Sequence, residues 1–335
     1  MMEIDKLILI CASGFVLGGA GAWLISRLFR QVRLLDIPDA RSSHRVATPK
    51  GGGIGILVSF LLTSLLLGLP ATFIFAALLI SLVSFYGDIR ELSPRFRLMI
   101  HFMAAFLLVF PFVQTHPLIP LPFLSAVLLM LFTVGTANDY NFMDGINGIA
   151  GIAGVVGFGL LYVFAAHGQL SLSSGQIHLA VLALCIAFSC LGFLPFNLPT
   201  ARVFMGDVGS ILLGFIFAAL VMHFSESLLD FICLASFLFP FFADELVTMT
   251  VRLGRRENLA QPHRRHFYQL LANEWRIAHW KVSLGYGVIQ LMIGLSVLWI
   301  KSLGMWSVVL FLSVCFFLFV LLNIKIRRKT LLMSR

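Results

Sequence analysis

Charge is scarce in this chain. Asp, Glu, Lys and Arg together make up 12% of its 335 residues, about half the share found in a soluble globular domain. Only 15 residues are acidic, against 24 basic ones. Hydrophobic residues reach 59% and the mean hydropathy is +0.98. That balance excludes a water-soluble domain and a disordered chain alike. Cysteine is sparse too: Cys11, Cys185, Cys190, Cys233 and Cys315 stand singly in apolar stretches, with no CxxC. Neither a disulfide framework nor a zinc centre is expected. The first apolar run lacks a basic n-region and reads as a retained span, not a signal peptide. No basic soluble module stands apart to give the pI of about 9.7 a nucleic-acid meaning. There is no evident repeat and no linker long enough to separate one domain from another, so residues 1–335 read as one membrane domain.

What the chain has in abundance is long apolar runs. A helical span takes about 20 mostly apolar residues. Runs near 7–29, 52–69, 71–87, 98–115, 120–137, 145–166, 176–197, 208–224, 228–250, 282–300 and 304–324 predict an all-α polytopic membrane protein of about eleven transmembrane helices. Ten is the alternative count, because Gly68-Leu69-Pro70 leaves almost no loop between two runs and the third is short. Every Lys and Arg except Lys6 and Lys301 lies in alternate connections or in the tail 325–335. Short basic loops stay in the cytoplasm. The N-terminus is therefore expected outside and the C-terminus inside.

The same assignment puts Asp36, Asp39, Asp88, Glu91, Asp139, Asp144, Asp207, Asp244, Glu245, Glu257 and Glu274 on the cytoplasmic side. Ionisable groups at membrane depth are costly and usually functional. Nine of them fall in connections at about 30–51, 88–97, 138–148, 197–207 and 252–281, while Asp244 and Glu245 stand near the end of the run 228–250. In Asn138-Asp139-Tyr140-Asn141-Phe142-Met143-Asp144-Gly145-Ile146-Asn147-Gly148, positions 138, 141, 144 and 147 would follow one side of a helix. A file of amides and a carboxylate at a span's mouth suits a hard cation and a phosphate ligand. In Arg202-Val203-Phe204-Met205-Gly206-Asp207, the acid can cap a helix or ligate a metal beside Asn141 and Asp144. Magnesium takes one or two protein carboxylates, with phosphates and waters.

Gly87-Asp88 precedes Arg90, Arg95 and Arg97. Asp88 can act as a base or position a phosphate, and the arginines offer forks for phosphate oxygens. His263-Arg264-Arg265-His266 reads as an anion site for a diphosphate; its HxxH spacing could also suit a metal, against which the arginines argue. Asp36 to His44 leads into Thr48-Pro49-Lys50-Gly51-Gly52-Gly53, which lacks the GK[ST] of a phosphate-binding Walker loop. That glycine run is more often close helix packing.

These five stretches, in this order, resemble the polyprenyl-phosphate N-acetylhexosamine-1-phosphate transferases, which include WecA-like, WbpL-like and MraY-like enzymes. The likeness runs from about Asp36 to Gln269. The HRRHFYQ loop and the RSSH…TPKGGG start are most similar to the WbpL-like branch, which initiates O-antigen-type glycans. The triple-His run of the MraY-like branch is absent. The resemblance implies transfer of N-acetylhexosamine 1-phosphate from a UDP-sugar to undecaprenyl phosphate at the cytoplasmic face of the bacterial inner membrane, with release of UMP. UDP-N-acetylfucosamine, UDP-N-acetylquinovosamine and UDP-GlcNAc are the candidate donors. It implies Mg2+, with Mn2+ as the alternative, held by Asp207 and Asn141. Asp88 and Asp144 would be the catalytic acids. Lys50, Arg97, Asn138, Gly145, Asn147, Arg202, His263, Arg264 and His266 would bind substrate, with Asn138 and Gly145 on the nucleotide side. Membrane enzymes of this size often pair, so a homodimer is carried as an expectation.

Two departures stand out. The family usually pairs two aspartates where this chain has Gly87-Asp88, and many relatives have Asp where it has Asn147. Competing readings are a secondary transporter or lipid flippase using the same carboxylates, and a non-catalytic scaffold for glycan assembly.

Overall fold

The computed structural model of the chain describes residues 4–32, 34–38, 43, 46–90, 92–115, 121–167, 173–258 and 263–333. Asp39 and Glu91, with Arg41, Ser42, His44, Gln261 and Pro262 of the motifs, lie outside them. The fold is all-α: α1 (Ile4–Val32), α2 (Ile54–Leu66), α3 (Ala71–Ile89), α4 (Pro94–Thr115), α5 (Pro122–Phe142), α6 (Ile149–His167), α7 (Ser174–Asn197), α8 (Asp207–Phe224), α9 (Leu228–Ala235), α10 (Phe239–Gly254), α11 (Phe267–Gln269), α12 (His279–Ile300) and α13 (Met305–Met333). A two-residue ladder, β1 (Leu35–Asp36) with β2 (Thr48–Pro49), pairs Leu35 with Pro49 and Asp36 with Thr48.

A helix stands at each of the eleven apolar runs. Ten helical segments among the described residues are long and apolar enough to cross a membrane, counting α9 and α10 together. The eleventh is α2, whose 13 residues reach about 20 Å, short of a hydrocarbon core of about 30 Å. The second run is thus the short one, where the third was expected to be. A 3-10 turn, Ser236–Leu238, interrupts the ninth run, and Pro240 stands in the first turn of α10, where a missing N–H costs no helical bond.

The bundle is organised around α8. Its stretch Val208–Met222 is buried throughout, and a helix that is apolar all round belongs inside. It packs against α3 and α5, with α2, α6 and α7 also touching it. Small residues let backbones meet: an added Cβ at Gly214 would lie 2.5 Å from the Thr136 carbonyl of α5. At the other extreme, only 6% of the α13 span is buried, so that helix presents nearly all its apolar surface outward.

Candidate active site

The ends of α3, α5, α7 and α8 that carry the basic connections enclose a cavity of about 300 Å³. Lys50, Asp88, Asn141, Asp144, Gly145 and Asp207 line it, as do Asp36, Asn197, Phe204 and Gln269. Six predicted residues from four separate stretches therefore converge.

Each wall has a local cause. Asp88 is the penultimate residue of α3 and faces the start of α8, where Val208 N donates to its Oδ2 at 3.3 Å. Unpaired amides at a helix N-terminus favour an anion there. Lys50 Nζ lies 3.7 Å from Asp88 Oδ1. Gly206 makes the close approach feasible with φ +74° and ψ +168°. The glycine run behaves as close packing: Gly52 N and Gly53 N donate to the carbonyls of Phe204 and Met205, both at 2.9 Å. That strap holds Lys50 over the cavity.

Asp207 opens α8 and is tied on both oxygens. Arg97 contacts Oδ2 at 2.6 Å, and Asn141 Nδ2 donates to Oδ1 at 2.8 Å and to Ser210 Oγ at 2.9 Å. Arg97 sits in the first turn of α4, so the predicted 88–97 loop is mostly helix. Asp144 lies beyond the end of α5, in the connection 143–148. The expected one-sided helical file therefore stops at Asn141: α5 ends at Phe142, and Gly148 takes φ +86° before α6. Asn197 stitches this connection to the next, accepting from Gly148 N at 2.5 Å and donating to Val203 O at 2.9 Å. Burial, then the Asp207 and Asp88 carboxylates, push Asp144 well above the usual carboxylate range.

The carboxyl groups of Asp88, Asp144 and Asp207 and the Asn141 amide thus bring hard oxygen donors to one cavity, the donor chemistry of a magnesium-type cation. No group of three or more His, Cys, Asp or Glu forms a ligand cage among the described residues.

Other predicted residues stand apart from the cavity lining. Asn138 Nδ2 donates to Val134 O at 2.7 Å and lies 3.1 Å from His101 Nδ1. Asn147 Nδ2 donates to Pro199 O at 3.2 Å, a role an aspartate could not fill. Arg202 is exposed, and Arg264 reaches Glu274 at 3.9 Å. Gly87 leaves room for a side chain, since its nearest neighbour would be Leu92 Cδ1 at 3.7 Å.

His266 is 2% exposed, with Nδ1 3.5 Å from Glu245, and its ring lies 4.7 Å from that of His263. Arg265 pairs with Glu257. Burial, with His266 and the arginines at 252 and 265, lowers His263 to about 4. Burial, with Arg327 and Arg252, lowers His266 to about 3. At neutral pH these imidazoles are uncharged, so any phosphate they meet is met by a neutral ring. Motif spacing did not single out Asn197, although a polar residue closing an apolar span after Pro195 was a usable signal.

Residues 70–225 match a family model described as glycosyl transferase family 4. The chain is 30% identical over 267 residues to the undecaprenyl-phosphate alpha-N-acetylglucosaminyl 1-phosphate transferase of Thermotoga maritima, covering 78% of this chain and 80% of that one. It is 32% identical over 184 residues to the phospho-N-acetylmuramoyl-pentapeptide-transferase of Staphylococcus aureus, covering 54% of this chain and 55% of that protein. The second likeness spans about half of each chain.

Proposed function

The chain belongs to glycosyl transferase family 4, the polyprenyl-phosphate N-acetylhexosamine-1-phosphate transferases, and from that premise we propose that it initiates a cell-envelope glycan of the O-antigen type. The donor is a UDP-N-acetylhexosamine and the acceptor is undecaprenyl phosphate in the bacterial cytoplasmic membrane. The observation that supports this reading is the convergence of Asp88, Asp144, Asp207, Asn141 and Lys50 on one cavity, at the end of the bundle bearing the basic connections. Basic connections face the cytoplasm, so the donor enters from that side, with the C-terminus inside and the N-terminus outside.

Phosphoryl transfer is mostly positioning and charge neutralisation. A lipid phosphate oxygen attacks the phosphorus joined to the sugar. The bond from that phosphorus to the bridging oxygen breaks, and UMP leaves with the electron pair. The second pKa of a phosphomonoester is about 6, so the nucleophile is already ionised and a strong base is unnecessary. Asp88 and Asp144 orient the attacking phosphate, while Lys50 and Arg97 face the phosphate oxygens. Asp207 and Asn141 would hold Mg2+ or Mn2+, which supplies charge neutralisation for the diphosphate. His263, Arg264 and His266 flank the diphosphate, and Gly145 lies on the nucleotide side.

The test is UMP release by the full-length protein in detergent with magnesium and undecaprenyl phosphate, offered UDP-GlcNAc, UDP-N-acetylfucosamine or UDP-N-acetylquinovosamine. Lipid-dependent release with one donor supports the reading and identifies the sugar. Silence with all three, beside an active relative in the same mixture, contradicts it.

A further inference from the structure

A carboxylate outside the cavity lining organises one of its walls. Asp244, on α10, is 0% exposed and has four hydrogen-bond donors aimed at its two oxygens. Phe267 N donates to Oδ1 at 2.6 Å and Thr248 Oγ1 to the same oxygen at 3.2 Å. Tyr268 N donates to Oδ2 at 3.2 Å, and Tyr286 Oη from α12 does so at 2.7 Å. No shorter side chain would reach, and no neutral one could accept from all four.

What the carboxylate holds is the turn that follows His266. Tyr268, fixed through its backbone N–H, sends its Oη to the Phe142 carbonyl at 2.9 Å. The ring wedges against the connection carrying Asp144: a Cβ added at Gly145 would sit 2.2 Å from that Oη. The next residue, Gln269, lines the cavity itself. A continuous path of contacts therefore runs from α10 through the turn to the Asp144 side of the cavity.

We propose that Asp244 is a positioning residue for the transfer reaction, setting the nucleotide side of the cavity through Tyr268 and Gln269. The inference rests on the transferase reading above and concerns the same cavity. A purely structural tie would change how much protein folds; a positioning tie changes how well the folded protein engages the nucleotide sugar.

The experiment measures UMP release for the wild type, Asp244→Asn and Tyr286→Phe, varying the UDP-sugar and undecaprenyl phosphate separately, with thermal unfolding of each protein in the same detergent. Asn keeps the shape but loses one acceptor oxygen. Loss of a hydrogen bond to a charged group predicts a KM for the UDP-sugar raised about tenfold, with the KM for undecaprenyl phosphate unchanged. Tyr286→Phe, which removes one donor and leaves the carboxylate, raises the same KM by a smaller factor. Both KM values unchanged, with activity falling only in proportion to folded protein, would overturn the proposal. Should Asp244→Asn fail to fold, Tyr286→Phe decides: an unmoved KM for the UDP-sugar refutes the positioning role. A silent wild type instead fails the transferase reading, and this inference falls with it.

Discussion

Gly206→Ala is the perturbation whose cost can be worked most fully from the coordinates. Gly206 has φ +74° and ψ +168°, a region open essentially to glycine alone, and forcing another residue there costs about 1–3 kcal/mol. The new methyl would also lie 2.7 Å from Gly51 N, 2.8 Å from Asp88 Oδ2 and 2.9 Å from Gly51 Cα. Two of those atoms are backbone, so they cannot swing aside, and overpacking of this kind adds about 1–3 kcal/mol. Together the loss is about 2–6 kcal/mol, which lowers Tm by about 4–12 °C at roughly 2 °C per kcal/mol. Relief requires moving the Lys50–Gly51 strap or Asp88, so transfer activity falls as well. Gly135→Ala is the control: an added Cβ there meets nothing within 4 Å, and within helix α5 the change is neutral or stabilises by up to about 1 kcal/mol. Thermal unfolding in detergent and UMP release, run on both variants, provide the check. A Gly206→Ala protein with wild-type Tm and rate would refute the packing argument at the mouth of α8.

Arg97→Ala removes the partner of Asp207, freeing that carboxylate for a cation while stripping a phosphate contact. The half-saturating Mg2+ concentration should fall about fivefold, from the roughly 1 kcal/mol of a partly exposed pair, while kcat also falls; a higher magnesium requirement would contradict this. Asp144, raised by burial and by Asp207 and Asp88, holds its proton to higher pH than an ordinary carboxylate. Adding Mg2+ to lightly buffered protein should therefore release protons, and Asp144→Asn should reduce the release. His263 and His266 have folded pKa values lowered to about 4 and about 3, below the unfolded value near 6.5. The unfolded chain therefore binds protons first as pH falls, and stability is lost from about pH 6.5 downward, by up to about 1.4 kcal/mol per pH unit for the buried His266 and by less for the half-buried, solvent-screened His263. Unfolding midpoints across that range should drop with acid in the wild type and drop less in a protein carrying His263→Phe and His266→Phe.

Some of this architecture is legible in residue order because the solvent dictates it. Spans must be apolar, and the eleven runs show as helices for that reason. The acids at their mouths stand out because charge is costly there, which is how Asp88, Asp144 and Asp207 were visible before any geometry. The glycine run at 51–53 was also readable as close packing. Less legible were features set by partners distant in sequence. Three of the four donors to Asp244 are amides 23 and 24 residues on and a tyrosine 42 residues on, which no local spacing announces. The three-residue spacing of Asn138, Asn141, Asp144 and Asn147 suggested one helical face, yet tertiary contacts at Gly145 and the positive φ of Gly148 break the helix after Phe142. The surroundings of the HRRH stretch were not readable from its charge either. Its basic residues are partly spent on Glu257 and Glu274, and burial keeps its imidazoles neutral.

If Asp207 anchors a cavity that transfers a phosphosugar to a polyprenyl phosphate, removing its charge alone should stop the reaction. The most direct test compares wild type with Asp207→Asn, an isosteric loss of charge, in UMP release with and without undecaprenyl phosphate. Lipid-dependent release by the wild type and near-complete loss in the variant are expected, with both proteins unfolding at similar temperatures. Undiminished release by Asp207→Asn, or wild-type release indifferent to the lipid, would contradict that role.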